Sequence, residues 1–428
     1  MRPRHAAHVW EDAADSLAQR DLAPSGFRRL VVVCAHPDDE TLGAAGLLRA
    51  VAAAGGTVQV VLASDGEAAL PEVAGTDRAA LAGTRLRELA DALAALEVPA
   101  TVHRLGMPDS ALRTDELTAA LTPLLADADA WISPWREDPH PDHAAVGRAC
   151  AAAAPVSAHG FGFPIWARTR FDPTDPVVPW DRAYRLRLSA ADRAAKHRAL
   201  DAYVSQRTVP PGGDRPVLSE ATLAHFLGSR EIYFREPPAD GAPPELFAAL
   251  YRDAADPWDV RTSWYERRKR AVLLAALPRE RYELAAEPGC GLGELTRELA
   301  GRCDRLVATD VVDEAVAVTA QRVADLPAAR VFRSDVDDPR ALPDGVGLVV
   351  LSELLYYLPA ERIGAVLDRA AAALRPGGDL VVAHWRQWPA EAPADGAAVH
   401  RGIVGDDRFT PLVEHLDEDF LLHVVRRR

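Results

Sequence analysis

Lysine is nearly absent from this chain of 428 residues, so arginine supplies almost all of its positive charge. That scarcity, with the abundance of alanine, reads as the codon bias of a GC-rich genome. Cysteine is scarce too. Cys34, Cys150, Cys290 and Cys303 show no paired metal-ligand spacing and no disulfide framework, which fits a reducing cytoplasm. No apolar run approaches the roughly 20 residues that cross a bilayer. The first residues carry acidic groups and no apolar core, so they do not read as a signal peptide. A basic surface is also missing. The net charge of -14 excludes a general nucleic-acid binder, which needs cations for phosphates. The short run Arg426, Arg427 and Arg428 reads as a solvated tail.

What remains is a soluble globular composition long enough for two domains. From Leu30 the pattern alternates. "RLVVVCA" is a strand, "ETLGAAGLLRAVAAAG" a helix, "TVQVVLAS" the next strand and "RAALAGTRLRELADALAALEV" a long helix. "TVHRLG" and "AWISPW" follow as short strands, "RAAKHRALDAYVSQ" as a helix and "EIYFRE" as a closing strand. The proline-rich, aperiodic "REPPADGAPPE" then marks a linker over residues 237–257, dividing a domain at 1–236 from one at 258–428. Strand-helix alternation restarts with "RYELAAE", "RLVATD", "ARVFRSDV", "GLVVLSE" and "DLVVAHW". The expected fold class is α/β, with two doubly wound and mainly parallel sheets.

The first strand ends in "AHPDDE". Ligands of doubly wound sheets bind at the C-terminal strand ends, which is where His36, Asp38 and Asp39 stand. An acidic residue there could merely cap the next helix, but capping does not call for His36. "EDPHPDHAA" places His140, Asp142 and His143 just after "AWISPW", so both clusters can meet at one sheet edge. Two imidazoles and a carboxylate can form a facial metal site with open positions.

These motifs resemble the zinc-dependent N-deacetylases of the PIG-L (LmbE-like) family. "SDGE", the pair Arg85 and Glu88, "LGMPDS" with Asp109, and "YVSQ" fall in family order. One departure is "ALEV" at 95–98, where the family usually has a glycine after the leucine. The resemblance covers roughly residues 28 to 236. It implies Zn2+ held by His36, Asp39 and His143, with Asp38 as the general base. It implies that His140 helps to stabilise the oxyanion, and that Arg85, Glu88 and Asp109 either touch substrate or form an internal ion-pair network. Trp135 and Trp166 could stack on a sugar face or belong to the core.

In the second half, "AAEPGCGLGELT" sets Glu287, Gly289, Gly291 and Gly293 between a strand and a helix. The G-x-G-x-G spacing disfavours a dinucleotide. Asp310 closes the next strand and Asp335 with Val336 the third. This ordered set resembles a class I methyltransferase that uses S-adenosyl-L-methionine. The resemblance implies that Glu287 and the glycines hold its methionine part, Asp310 its ribose, and Asp335 and Val336 its adenine. "DPWDVRTSWYERRKRAVLLAALPRERYELAAEPGCGLGELT", "LSELLYYL" and "GGDLVVAHWR" narrow the resemblance to the nodulation-factor methyltransferases, which N-methylate an amino sugar. Glu353, Tyr356 and His384 are then candidates to position or deprotonate the amine, or are simply core. The implied whole is a bifunctional enzyme that deacetylates an N-acetylglucosamine-type small molecule and methylates the freed amine. The alternative is a deacetylase whose second half methylates something else, senses S-adenosylmethionine or serves as a scaffold.

Overall fold

The computed structural model describes residues 5–18, 20–69, 77–210, 213–238 and 241–428. The chain divides into two compact units, Met1–Glu236 and Pro237–Arg428. Each is an α/β unit built on one mainly parallel sheet.

The first sheet has eight strands: β1 (Arg20–Asp21), β2 (Arg29–Cys34), β3 (Thr57–Ser64), β4 (Ala100–Met107), β5 (Ala130–Pro134), β6 (His159–Phe163), β7 (Ala183–Arg187) and β8 (Arg230–Arg235). Their spatial order is β1-β7-β8-β6-β5-β2-β3-β4. β6, β5, β2, β3 and β4 run parallel, while β8 is antiparallel to both its neighbours. β2 is buried from Leu30 to Cys34, as befits a central strand with helices on both faces. The chain leaves β2 toward β3 on one side and later returns to β5 on the other. The strand order therefore reverses between β2 and β5, and the crevice of such a sheet opens at their C-terminal ends.

The second sheet contains β9 (Tyr282–Pro288), β10 (Cys303–Asp310), β11 (Ala329–Arg333), β12 (Val346–Ser352), β13 (Leu374–Trp385), β14 (Phe409–Leu416) and β15 (Phe420–Arg427). The order is β11-β10-β9-β12-β13-β15-β14, parallel as far as β13, with β15 antiparallel to β13 and β14. Here the reversal falls between β9 and β12.

Two expectations change, and one that was left open is decided. The stretch read as a linker, 237–257, holds a helix at Pro244–Asp253; Pro244 opens it, a position where the missing N–H costs nothing. Residues 239–240 of that stretch lie outside the described residues. The basic end is not a tail. Arg426 and Arg427 lie in β15, and Arg426 Nε donates to the buried Asp379 carboxylate at 2.8 Å. Trp135 is 1% exposed and packs at 5.0 Å on Phe234, in the core. The departure at "ALEV" has a local consequence: Glu97 takes φ +59° just past the helix Arg78–Ala95, a conformation glycine adopts more readily.

Candidate active sites

At the C-terminal ends of β2 and β5, the two histidine motifs meet. His36 follows β2, and Asp39 opens the helix Asp39–Ala53. Asp39 does not cap that helix. Its Oδ2 reaches back to accept from the N–H groups of Ala35 at 2.9 Å and His36 at 3.0 Å, which leaves Oδ1 facing His143 Nε2 at 3.3 Å. His143 lies in the first turn of the helix Pro141–Ala153, whose N-cap is His140. His140 Nδ1 accepts from the Asp142 N–H at 3.2 Å. Since Nδ1 accepts, the single proton of the neutral ring sits on Nε2. Burial, then His143 and His36, push His140 down to about 4, so it is neutral.

Two sets of donors lie within 4.8 Å of one another: His36, Asp39 and His143, and His36, His140 and Asp142. The second is otherwise engaged. Asp142 accepts from Ser110 and Leu112 N–H groups, and His140 from the helix. The first retains a carboxylate oxygen. The local field also suits a cation. Against the penalty of burial, Asp109 and Asp142 raise His36 to about 9, and Asp39 and Asp138 raise His143 to about 10. Two imidazoles and one carboxylate are the donor chemistry of a zinc-type site with open positions, so these residues fit such an ion.

Asp38 has φ +122°, a strained setting that turns its carboxylate toward Arg85 Nη2 at 3.0 Å. Burial outweighs the Arg85 guanidinium and pushes Asp38 up to about 7. Arg85 does not pair with Glu88. It also donates to the carbonyl oxygens of Pro37 and Gly66, while Glu88 accepts from the Ser205 N–H and hydroxyl at 2.7 Å each. The "YVSQ" segment is thereby fastened to the long helix. Asp109 accepts from the Ala68 N–H at 2.8 Å and faces His36 Nε2 at 3.1 Å.

Sequence reading missed Asp138. Its Oδ1 lies 3.2 Å from His143 Nδ1, and its Oδ2 accepts from Ile165 and Ala167 N–H groups at 3.0 and 3.1 Å. A carboxylate behind a ligand histidine fixes the ring's orientation and raises its basicity. A cavity of about 240 Å³ joins His36, Asp38, Asp39, Arg85, His140 and His143 to an apolar wall that includes Ile165, Trp166 and Phe226.

In the second unit, Gly289, Gly291 and Gly293 have φ values of +76°, +55° and +76° after β9. A Cβ on Gly293 would lie 2.8 Å from Thr319 Oγ1. Asp310, at the end of β10, accepts from the Gly291 and Val312 N–H groups at 3.0 Å each. Glu287 is 3% exposed, and its Oε2 is buried without a hydrogen-bond partner among the described residues. Burial raises Glu287 to about 8, a little offset by Thr296. A glycine cradle beside an unsatisfied acidic oxygen fits a ligand that carries an ammonium group, as S-adenosylmethionine does. Asp335 is exposed and paired with Arg362, while Val336 is buried.

Glu353 follows β12 with φ +53°. Its Oε1 accepts from Lys269 at 2.6 Å and Tyr265 at 2.8 Å; its Oε2 accepts from the Tyr356 hydroxyl and from Trp385 N–H at 2.9 Å. Against burial, Lys269 and His384 hold Glu353 down to about 2. His384 is fully buried, and its Nε2 accepts from the Leu355 N–H at 3.2 Å.

The first unit thus joins an α/β fold to a donor cluster that could hold a metal ion, and the second joins an α/β fold to a glycine cradle that could hold a cofactor. The GlcNAc-PI de-N-acetylase model (PIG-L) matches residues 31–154, and the Nodulation protein S model (NodS) matches residues 247–390. The chain is 30% identical over 259 residues to a 1D-myo-inositol 2-acetamido-2-deoxy-alpha-D-glucopyranoside deacetylase of Mycobacterium sp., covering 48% of this chain and 81% of that one. It is 30% identical over 186 residues to Nodulation protein S of Sinorhizobium fredii, covering 40% of this chain and 85% of that one. The crystal structure of N-methyltransferase NodS from Bradyrhizobium japonicum, in complex with S-adenosyl-L-homocysteine, is 23% identical with a TM-score of 0.37, over 43% of this chain and 98% of that chain. The chain belongs to the PIG-L deacetylase family through its first unit and to the NodS methyltransferase family through its second.

Proposed function

We propose that the chain hydrolyses the N-acetyl group of an amino sugar in its first unit and methylates the freed amine in its second. The observation that carries the reading is the convergence, in one cavity, of a metal-type donor set, a carboxyl poised near neutrality and a neutral imidazole N–H.

Zinc held by His36, Asp39 and His143 would supply Lewis-acid polarisation of the amide carbonyl and a water acidic enough to react near neutral pH. Asp38 takes the proton of the attacking water, and a pKa near the working pH suits that task. Arg85 holds the Asp38 carboxylate in place. His140 donates its Nε2–H to the carbonyl oxygen as negative charge develops there. The amide C–N bond breaks, Asp38 returns its proton to the departing nitrogen, and acetate and a free amine leave. Trp166 offers an aromatic face for the sugar ring.

In the second unit, S-adenosylmethionine would supply a methyl group made electrophilic by its sulfonium. Glu287 would accept from the cofactor's ammonium, the three glycines would admit its chain, Asp310 would take the ribose hydroxyls, and Asp335 with Val336 would border the adenine. Glu353 and His384 act by position. Glu353 has four donors on its two oxygens, and His384 Nε2 is committed to a backbone N–H. An amide nitrogen shares its lone pair with the carbonyl, whereas a free amine does not, so methylation follows deacetylation.

Mass spectrometry of N-acetylglucosamine and its inositol glycoside, incubated with the chain, zinc and S-adenosylmethionine, tests this order. Loss of an acetyl group precedes gain of a methyl group. Gly291→Val should stop at the amine, because a side chain in the cradle obstructs the cofactor. An N-acetyl-N-methyl product overturns the sequence of steps. Deacetylation with no methylation of the amine returns the second unit to a separate substrate or a sensing role.

A further inference from the structure

Behind the turn that carries Tyr356, three buried histidines from three different elements form a line. His384 ends β13, His400 lies in the helix Gly396–Val404, and His423 lies on β15. His384 Nδ1 is 3.0 Å from His400 Nε2, and His400 Nδ1 is 2.7 Å from His423 Nδ1. His423 Nε2 faces the exposed carboxylate of Glu414, on β14, at 3.5 Å. At the inner end, Leu355 N–H meets His384 Nε2 at 3.2 Å.

The protons of all three rings follow from that inner contact. A backbone N–H can only donate, so His384 Nε2 must accept. A neutral imidazole carries one proton, which then sits on Nδ1 and is donated to His400 Nε2. His400 must in turn carry its proton on Nδ1 and donate it to His423 Nδ1. His423 is left with its proton on Nε2, aimed at Glu414. Burial, with Lys269 beside His384 and the neighbouring rings beside His400, lowers both rings, His384 to about 4 and His400 to about 2, so each is neutral near pH 7. Every N–H points outward from the turn. Inverting one ring sets two N–H groups or two lone pairs face to face in a buried site, which costs a desolvated hydrogen bond.

We infer that His384, His400 and His423 form a tautomer-ordered chain whose function is to position the Leu355–Tyr357 turn through the Leu355 N–H. That turn is joined to the candidate methyl-transfer site. The Tyr356 hydroxyl donates to Glu353, and the Tyr356 ring packs 4.9 Å from His384. Tyr357 packs 5.0 Å from Phe247. The three histidines are positioning residues. None touches a reacting atom in this reading, which rests on the second unit being the methyltransferase proposed above. The tautomer order itself does not rest on it.

The test is nitrogen-15 NMR of the full chain with labelled histidine, assigned by single variants. His384 and His400 should show Nδ1–H rings and His423 an Nε2–H ring. An Nε2–H ring at His384 in the wild type overturns the proposal. His423→Leu removes the acceptor for the His400 N–H at the far end of the chain. The His400 N–H is then left unpaired in a buried site, which weakens the chain from its outer end, so His384 should keep its Nδ1–H while the Leu355 amide exchanges with solvent at least about tenfold faster. His423→Asn places an amide oxygen where Nδ1 was and should restore slow exchange at Leu355. An unchanged Leu355 exchange rate in a folded His423→Leu variant refutes the coupling. If His423→Leu does not fold, the wild-type spectrum and the His423→Asn variant decide. Titration with S-adenosylmethionine runs in parallel. Loss of binding in the wild type removes the methyltransferase reading and leaves the tautomer result standing.

Discussion

His140→Asn separates two jobs that one imidazole performs. Through Nδ1, His140 caps the helix Pro141–Ala153. Asparagine is an equally good cap, so the variant should unfold together with the wild type, whereas His140→Ala should lose about 1 kcal/mol. Through Nε2–H, His140 offers a donor to the developing oxyanion, and asparagine at that position is too short to replace it. Removing one such donor costs about 10²–10³ in kcat, or about 2.7–4 kcal/mol of barrier. Burial with His143 and His36 sets the pKa of His140 at about 4, so the ring stays neutral at ordinary assay pH. The loss should therefore be the same factor from about pH 6 to pH 8. The assay is acetate release from an N-acetylglucosaminide, with metal content matched by elemental analysis and thermal unfolding followed alongside. Turnover of His140→Asn within about threefold of wild type would refute the donor role. A deficit that disappears as pH rises would show that a charged imidazolium, not the neutral ring, does the work.

Asp38→Asn should retain metal by elemental analysis and lose about 10²–10⁴ in kcat, and normal turnover would remove Asp38 from the chemistry. In the wild type, activity should fall on the acid side as Asp38 protonates. That limb lies near the value of about 7 set by burial against Arg85, and lower once a cation sits beside it. His143→Ala should lose both metal and deacetylation yet still methylate a synthetic amine; normal zinc content in that variant would sink the ligand assignment. Glu353 is held from 4.5 down to about 2, so its share of stability is present above about pH 4.5 and is lost as pH falls toward 2. That share is at most on the order of 3 kcal/mol. Lys269→Met should move acid unfolding of the second unit to higher pH, and an unmoved transition would show that the ion pair contributes nothing.

The parallel strands were legible because each is a short apolar run between turn signals, and the histidine motifs because they break such runs with charge. The strands that escaped notice lack that contrast. β6 is "HGFGF", where two glycines mask strand propensity, and β7 is "AYRLR". In the terminal hairpin, charges and Pro411 interrupt β14, and the three arginines hide that β15 ends at Arg427, beside the buried Asp379. Asp138 escaped for another reason. Its loop has no periodicity, and the N–H groups that hold it come from Ile165 and Ala167, brought in by the fold. The partners of Glu353 left one sign in the composition. The chain's lysines, Lys196 and Lys269, are both buried, and each is paired with a carboxylate, Glu231 and Glu353 respectively. Where arginine is otherwise the rule, a lysine marks a place for a compact cation.

Asp38 and Glu353 share a further trait. Each stands just after a strand at the reversal point of its sheet, and each is a non-glycine residue with positive φ, +122° and +53°. A residue so placed costs its unit of order 1–3 kcal/mol, which the surrounding contacts offset. Any procedure that improves this chain by matching residue type to backbone conformation would therefore replace these two carboxylates with glycine or asparagine among its first changes. The protein would gain local comfort and lose two carboxylates on which neighbouring donors converge, Arg85 at Asp38 and Lys269, Tyr265, Tyr356 and Trp385 at Glu353. Directed stabilisation of this chain should hold positions 38 and 353 fixed and look for its gains at the exposed Glu97, whose left-handed backbone supports neither cluster.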